Sequence, residues 1–176
     1  MTLRTPIMLL AALALSACTS NPFLGEGGGF GGFGSDGALG SNSQIVPGSV
    51  DDPNSPAYFQ QAIGDRVLFA VDQSTIDEAA RATLTGQADF LARNPEYNAL
   101  IEGHADEQGT REYNLALGAR RAASVRDYLV SQGIADARLR TVTYGKERPI
   151  ELCSNETCYS QNRRSVTVLG AAGLGS

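Results

Sequence analysis

The sequence has little of several residue types that common activities need. Its 176 residues include no tryptophan, one histidine and three cysteines. A single histidine disfavours a metal site, since imidazole is the commonest metal ligand and usually occurs more than once. Lysine and arginine number 14 against 19 aspartate and glutamate, which gives a formal net charge of −5. This acidic balance argues against nucleic-acid binding, which needs a basic surface to meet phosphates.

Long apolar runs are also missing. The longest, Ile7–Leu15, is far shorter than the roughly 20 residues that cross a bilayer. Arg4 precedes it and small residues follow, an order typical of a secretory signal. The end of the run, Leu15-Ser16-Ala17-Cys18, is similar to a bacterial lipobox. We therefore expect residues 1–17 to be a signal peptide and Cys18 to carry lipid. The alternative is an ordinary signal followed by a chance cysteine.

Glycine, by contrast, is concentrated in one segment. Nine of the 20 glycines lie between Gly25 and Gly40. Such a composition loses too much conformational entropy on ordering to join a packed core. We therefore expect residues 18–56 to form a lipid-bearing flexible tether, 57–170 to fold as one domain, and 171–176 to be a tail.

Hydrophobic periodicity begins after this tether. The pattern predicts strands at 66–71, 97–102, 139–144 and 165–169. Helical spacing of apolar residues predicts one helix from a capping box at Thr75 to Asn94, and a second from Thr110 to Gln132. The order β-α-β-α-β-β predicts an α/β (α+β) fold, in which helices cover one face of a mixed sheet in a two-layer sandwich.

The densest polar cluster, Glu102, His104 and Asp106, ends the second predicted strand. Because strand side chains alternate, the three side chains are expected on one face. His104 with two carboxylates fits a metal site, and paired carboxylates fit acid/base catalysis, although the chain has no Gly-x-Ser-x-Gly elbow. A third hypothesis is a ligand cradle in which Asp106 binds a cation, and a fourth is that His104 only packs against its neighbours.

The second predicted helix carries groups that complement this aspartate. Asn114 and Arg121 share one flank of the helix, whereas Arg120 lies closer to solvent. An aspartate at a strand end, with an arginine and an asparagine on the following helix, fits a zwitterion. Asp106 would bind the ammonium and Arg121 would bind the carboxylate through two parallel hydrogen bonds. The alternative is an internal ion pair between Asp106 and Arg121.

Two cysteines remain, Cys153 and Cys158, in a polar loop before the last predicted strand. A secretory signal implies an oxidising compartment, in which disulfides form. A zinc half-site would need ligands that the chain lacks. We therefore expect a disulfide that stiffens this loop.

The order of residues across the predicted domain resembles a known family. The matching segments are Glu102–Thr110, Glu112–Ala122, Thr143–Lys146 and Gln161–Arg164. From about Tyr58 to Leu169 the chain looks like the OmpA C-terminal-like domain. With the lipobox and tether included, it resembles the peptidoglycan-associated lipoproteins. The resemblance implies an OmpA-like fold, a binding protein rather than an enzyme, and no cofactor.

The resemblance also implies a ligand, the meso-diaminopimelate of the peptidoglycan stem peptide, whose D-centre carries an ammonium and a carboxylate. By the family pattern, Asp106 matches the ammonium-binding aspartate and Arg121 the carboxylate-binding arginine. The residues expected to bind peptidoglycan are Asp106, Arg121, Asn114, Thr110, Phe69 and Ala70. One departure stands out, since the family has Phe-Asp where this chain has Phe69-Ala70. A backbone contact there would survive the change, and a side-chain contact would not.

Finally, the resemblance implies a cellular role. Thr19, after the lipidated cysteine, favours the outer membrane, with the domain in the periplasm. The family belongs to the Tol–Pal system, with TolB as partner, and links the outer membrane to the cell wall in support of envelope integrity and cell division. The alternative is a lipid-anchored cell-wall hydrolase such as an amidase, which would need a zinc-ligand set or a Cys/His pair.

Overall fold

The structure, a computed structural model, describes residues 45–171. The expected signal peptide, Cys18 and the glycine-rich segment lie outside the described residues, as do 172–176. In chain order the elements are α1 (Pro56–Tyr58), a π-helix (Phe59–Gly64), β1 (Arg66–Leu68), α2 (Glu78–Arg93), β2 (Tyr97–His104), α3 (Arg111–Ser131), a 3₁₀ helix (Asp136–Arg138), β3 (Leu139–Gly145), α4 (Glu156–Asn162) and β4 (Arg164–Ala171). No helix of the described part is long and apolar enough to span a membrane.

The four strands form one mixed sheet in the order β1-β4-β2-β3. Strand β4 runs antiparallel to both β1 and β2, whereas β2 and β3 are parallel. The register places Ile101 of β2 between Thr141 of β3 and Thr167 of β4. Parallel neighbours need a crossover connection, and α3 supplies it. The predicted mixed sheet is confirmed.

The core lies between this sheet and the helices α2 and α3. Along β2 the residues Ala99 and Ile101 are buried in the core, while the alternate residues Leu100 and Glu102 are only partly buried. The largest contributions from the helices come from apolar residues at helical spacing: Leu84, Ala88, Leu91, Ala122, Val125 and Leu129. The two-layer architecture follows from these matched faces.

Helix α3 approaches β2 closely because both carry a glycine at the crossing point. A Cβ atom on Gly103 would lie 1.9 Å from the carbonyl oxygen of Gly118. A Cβ atom on Gly118 would lie 2.5 Å from the Thr143 hydroxyl. Only glycine fits at either position, and the close packing brings the start of α3 against the end of β2.

Several boundaries differ from the sequence-based predictions; β2 ends at His104 rather than at residue 102, and β4 covers Arg164–Ala171 rather than 165–169. Two differences have a clear local cause. Strand β1 ends at Leu68 rather than at residue 71, because the chain turns there and Asp72 adopts a left-handed backbone conformation with φ of 58°. Helix α2 is capped by Asp77, whose side chain accepts a hydrogen bond from the Ala80 amide, so the predicted cap at Thr75 is wrong. Aspartate caps at least as well as threonine, and the helix begins at the later of the two candidates.

The last residues of the predicted tether lie within the described part of the structure. Residues 45–55 form hydrogen-bonded turns, in which the Asp52 carboxylate accepts from the amides of Gly48 and Asn54. Ser55 is 2% exposed, and its hydroxyl caps α1. Regular structure therefore begins before residue 57.

The segment before the last strand contains a helix that the sequence did not predict. Helix α4 is capped by Asn155, whose side chain accepts from the amide of Cys158. Cys153 and Cys158 are joined by a disulfide with their Cα atoms 5.7 Å apart, as expected. The bridge therefore staples the start of α4 to the preceding loop.

Candidate functional site

A cavity of about 330 Å³ lies where β2 ends and α3 begins. Its walls come from the turn after β1, the loop from β2 to α3, and the first two turns of α3. The lining residues are Val71, Asp72, Asp106, Gln108, Gly109, Tyr113, Asn114 and Leu117. Of the predicted site residues, Asp106 and Asn114 line this cavity directly. A cavity of about 400 Å³, lined in part by Asn98 and Arg140, is formed where β2 begins and contains none of them.

The Asp106 carboxylate is almost buried, with 7% of the residue exposed. One of its oxygens accepts a hydrogen bond from the Gln108 amide at 3.2 Å. The other lies 3.2 Å from Nη1 of Arg163. Two carboxylate oxygens offer about four acceptor positions, so Asp106 retains capacity for a cationic ligand.

Arg163 is a site residue that the sequence analysis missed. It is buried, and its guanidinium bridges three groups: the carbonyl of Phe69, the carboxylate of Asp106 and the carboxylate of Glu156. The hydrogen bond to Glu156 is the main reason why the pKa of Arg163 is raised. The adjacent pair Arg163-Arg164 was the available signal in the sequence. Neighbours in an extended chain point to opposite sides, so one arginine of such a pair is directed inward.

Arg121 lies fully buried on α3, 0% exposed, behind the turn that follows β1. Its guanidinium donates to the carbonyls of Gln73 and His104 at 2.8 Å and of Ala70 at 3.3 Å. Burial lowers its pKa to about 10, and the nearby carboxylate of Asp106 partly opposes this shift. Among the described residues, the ion-pair partner of Asp106 is thus Arg163, and the internal Asp106–Arg121 pair is not formed.

Phe69 and Ala70 both contact this arginine. The Phe69 ring lies under the Arg121 guanidinium, 5.2 Å from ring centroid to Cζ, which is a cation–π distance. The Ala70 carbonyl accepts from Arg121 and from the amide of Gln73. Position 70 thus contacts Arg121 through its backbone carbonyl, a contact that does not depend on the side chain at this position.

Asn114 and Thr110 shape the loop from β2 to α3. The buried Asn114 side chain donates to the carbonyl of Gln108 at 2.7 Å. Thr110 caps α3 by accepting from the amide of Tyr113, and it lies next to the cavity rather than in its wall. Gly109, between Gln108 and Thr110, has φ of 89°, a left-handed conformation that favours glycine.

A hydrogen bond crosses the mouth of the cavity. The Tyr113 hydroxyl on α3 donates to the carboxylate of Asp72 in the turn after β1. Both side chains are exposed and line the cavity. Neither was predicted as a site residue, because the two lie 41 positions apart in the sequence.

His104 does not join Asp106 on a common face. The strand shifts register between Gly103 and His104 and then ends, so Asp106 lies beyond it. His104 is 1% exposed, with its ring centroid 5.5 Å from that of Tyr144. Burial, with the nearby cations Arg164 and Arg148, lowers its pKa to about 4, so the ring is neutral at pH 7.

The environment of this ring supports a packing role. Nε2 lies 3.4 Å from a carboxylate oxygen of Glu102, but neither ring nitrogen has a hydrogen-bond partner among the described residues. A neutral ring makes no ion pair with that carboxylate. Within residues 45–171, no group of three histidine, cysteine, aspartate or glutamate side chains is placed to hold a metal ion.

Comparisons with known proteins agree with this fold. The model of the OmpA family matches residues 68–163, which include every predicted site residue of the domain. A peptidoglycan-associated lipoprotein of Rhizobium meliloti is 50% identical over 173 residues, covering 97% of this chain and 90% of its own length. One from Pseudomonas aeruginosa is 39% identical over 160 residues, 88% of this chain and 92% of its own.

Solved structures lead to the same group of proteins. The peptidoglycan-associated lipoprotein from Burkholderia pseudomallei superposes with a TM-score of 0.61 at 39% identity, covering 69% of this chain and 98% of its own. The C-terminal domain of Helicobacter pylori MotB, at 18% identity and a TM-score of 0.57, shares the fold. The chain therefore belongs to the OmpA family and, within it, to the peptidoglycan-associated lipoproteins. This membership confirms the prediction of a binding protein rather than an enzyme.

Proposed function

We propose that the domain binds peptidoglycan without cleaving it, through the diaminopimelate of the stem peptide. The observation that carries the proposal is the Asp106 carboxylate, which is almost buried yet lines an open cavity. A charged group costs free energy when it is removed from water, so its placement in a cavity wall favours a cationic ligand. The relatives are named for their association with peptidoglycan.

The side-chain end of diaminopimelate carries an ammonium and a carboxylate on one carbon. Asp106 accepts hydrogen bonds from the ammonium, and charge assistance makes these bonds strong. Arg121 takes the carboxylate. Three of its five N–H groups donate to backbone carbonyls. Because the side chain is fully buried, the turn that follows β1 must open for the ligand carboxylate to reach the other two. The Arg121 neighbours Phe69 and Ala70 hold the guanidinium, while Asn114 and Thr110 hold the loop that carries Asp106.

The same proposal places the protein in the cell envelope. Residues 1–17 act as the signal, Cys18 carries lipid in the outer membrane, and the residues that follow hold the domain in the periplasm. One end is then anchored in lipid and the other on the cell wall, as part of the Tol–Pal system with TolB as partner. Because the wall repeats its stem peptide many times, tethering raises the effective ligand concentration, and modest affinity at each site suffices.

The proposal is tested by co-sedimentation of the full chain with purified peptidoglycan sacculi. The wild-type protein should sediment with the sacculi, and free meso-diaminopimelate should release it whereas L-lysine should not. Asp106→Asn keeps the size of the side chain but removes its charge, and it should abolish sedimentation. Asp127→Asn is the matched control, since this aspartate is exposed and lies near the far end of α3. Retention of a folded Asp106→Asn variant on the sacculi would refute the proposal.

A further inference from the structure

We infer that Arg163 is a positioning residue for the Asp106 carboxylate, and that Glu156 and the Cys153–Cys158 disulfide hold Arg163 in place. This inference rests on the proposed function for the identity of the ligand. It assigns a role to α4, a helix that lines no part of the cavity.

The guanidinium of Arg163 connects Asp106 to the backbone. Its Nε donates to the Phe69 carbonyl at 3.2 Å, and its Nη1 lies 3.2 Å from Asp106. Since a guanidinium is planar and rigid, fixing one edge fixes the direction of the others. Arg163 thus ties the orientation of Asp106 to the backbone at the end of β1, close to where Arg121 is held.

On its other side, the Arg163 guanidinium contacts Glu156. Glu156 accepts from both terminal nitrogens of Arg163. The two partners differ in exposure, since the Arg163 side chain is 5% exposed and that of Glu156 is 64% exposed. Glu156 therefore covers the buried Arg163 side chain on its solvent-facing side. Because Glu156 itself is exposed, a substitution of Glu156 leaves the core intact.

Glu156 is in turn held by the attachments of α4. It lies in the first turn of α4, and α4 has only seven residues. Helices this short are unstable alone, so external attachments must hold them. The disulfide encloses Glu156 and its neighbouring cap residue Asn155. At the other end, buried Asn162 accepts from the amide of Ile150 and donates to the carboxylate of Glu107.

Together these contacts form a chain from the disulfide through Glu156 and Arg163 to Asp106. A carboxylate buried without its cation must reorient or lose stability, because an uncompensated buried charge is costly. The ligand ammonium needs Asp106 at one defined position, so loosening any link weakens binding. The three side chains Arg163, Glu156 and Asp106 act as one unit.

The test titrates the full chain with the tripeptide L-Ala-γ-D-Glu-meso-diaminopimelate in a calorimeter. Losing a charge-assisted hydrogen bond to a ligand costs about tenfold in affinity. Glu156 acts through Arg163 and is exposed, so Glu156→Ala should weaken binding several-fold but by less than this, and Glu156→Gln less still. Glu96→Gln, on the exposed turn between α2 and β2, is the control and should change nothing. Unchanged or tighter binding by a folded Glu156→Ala variant would overturn the inference.

A double mutant separates positioning from a general structural effect. Arg163→Met should weaken binding at least as much as Glu156→Ala, and Arg163→Lys should restore part of the loss. If Glu156 acts only through Arg163, the variant with both Glu156→Ala and Arg163→Met binds like Arg163→Met alone. Losses that multiply in the double variant would contradict the chain of contacts.

The disulfide gives an independent measurement on the wild-type protein. Reduction with dithiothreitol should weaken tripeptide binding several-fold, and the Cys153→Ser/Cys158→Ser variant should already bind weakly and not respond to the reductant. Equal affinity of the oxidised and the reduced protein would show that the disulfide does not help to hold Arg163 in place. If the wild-type protein fails to bind the tripeptide at all, the proposed function itself fails, whereas wild-type binding with unaffected Glu156 and Arg163 variants overturns this inference alone.

Discussion

Two buried arginines lie behind the cavity in opposite electrostatic settings. Arg163 is bound by two carboxylates, and its pKa is raised. Arg121 is bound by neutral carbonyls, and burial lowers its pKa to about 10. The charge of Arg163 is therefore compensated within the protein, whereas that of Arg121 is compensated only by carboxylates farther away. An anionic ligand group is stabilised more by Arg121 than by Arg163.

This difference predicts how each residue contributes to ligand selectivity. The wild-type protein should prefer the diaminopimelate tripeptide to the same tripeptide with L-lysine, which lacks the second carboxylate, by about tenfold or more. Arg121→Lys should reduce that preference, because lysine loses the two-pronged geometry. Asp106→Asn should weaken binding of both peptides. Calorimetric titration with the two peptides measures the preference, and full selectivity in a folded Arg121→Lys variant would contradict the assignment.

His104 makes stability depend on pH. In the folded protein its pKa is about 4, and the ordinary value is 6.5, so between these values the unfolded chain binds a proton that the folded chain excludes. The contribution is complete above pH 6.5 and is lost as the pH falls toward 4. Urea unfolding should show stability lower by about 2–3 kcal/mol at pH 4.5 than at pH 7.5 from this residue alone. In His104→Gln the decrease should shrink by that amount, and an identical decrease in both proteins would refute the explanation.

At the scale of elements, the contact between α3 and β2 decides where the site residues lie. Gly103 and Gly118 allow the helix to approach the strand, and Thr143 completes the contact by donating to the carbonyl of Leu115. This packing sets the start of α3 against the end of β2. As a result, Asn114 and Asp106 line the same cavity. The geometry of the cavity is thus a consequence of two glycines outside it.

Gly118→Ala tests this contact, because the contact and helix propensity predict changes in folding stability of opposite sign. In an exposed helix interior, glycine to alanine stabilises by about 1 kcal/mol. Here the added Cβ would lie 2.8 Å from the Gly103 carbonyl oxygen, so overpacking should destabilise the domain by about 1–3 kcal/mol or more. Gly170→Ala, where the Cβ meets nothing within 4 Å, is the control. Chemical denaturation gives both values, and a stabilised Gly118→Ala variant would contradict the close approach.

The start of α2 offers a second test of an element. Asp77→Ala removes the observed cap and should cost about 1 kcal/mol, while Thr75→Ala should stay within about 0.5 kcal/mol of wild type. The two unfolding free energies, measured in urea, distinguish the cap in the structure from the one that the capping-box pattern predicted. The reverse order of the two costs would show that the helix begins earlier.

These elements show which features of the fold a sequence can reveal. The strands and the two long helices were predictable, because apolar spacing records which face is buried. Asn114 and Arg121 were predictable as neighbours from helical spacing. The ion pair of Asp106 with Arg163 was not, since it joins residues 57 positions apart and depends on how β4 enters the sheet. Helix α4 was missed because its seven residues carry no periodic apolar signal, and its stability comes from the disulfide and Asn162.

At the scale of the whole molecule, the cavity and the second, larger cavity are formed at different ends of the sheet. Asp106 lies beyond the end of β2, whereas Asn98 and Ala171 lie where β2 begins and β4 ends. The smaller cavity has the carboxylates of Asp72 and Asp106 in its wall, while the larger one is lined by short and apolar side chains together with two arginines. The acidic lining rather than the volume therefore distinguishes the cavity that suits an ammonium group.

On the proposed function, the Asp106 cavity binds the diaminopimelate of the stem peptide. A crystal structure of the protein with the tripeptide L-Ala-γ-D-Glu-meso-diaminopimelate tests it most directly. We expect the ligand ammonium at about 3 Å from the Asp106 carboxylate and the ligand carboxylate at about the same distance from Arg121. A tripeptide bound elsewhere, such as in the cavity beside Asn98, would contradict it.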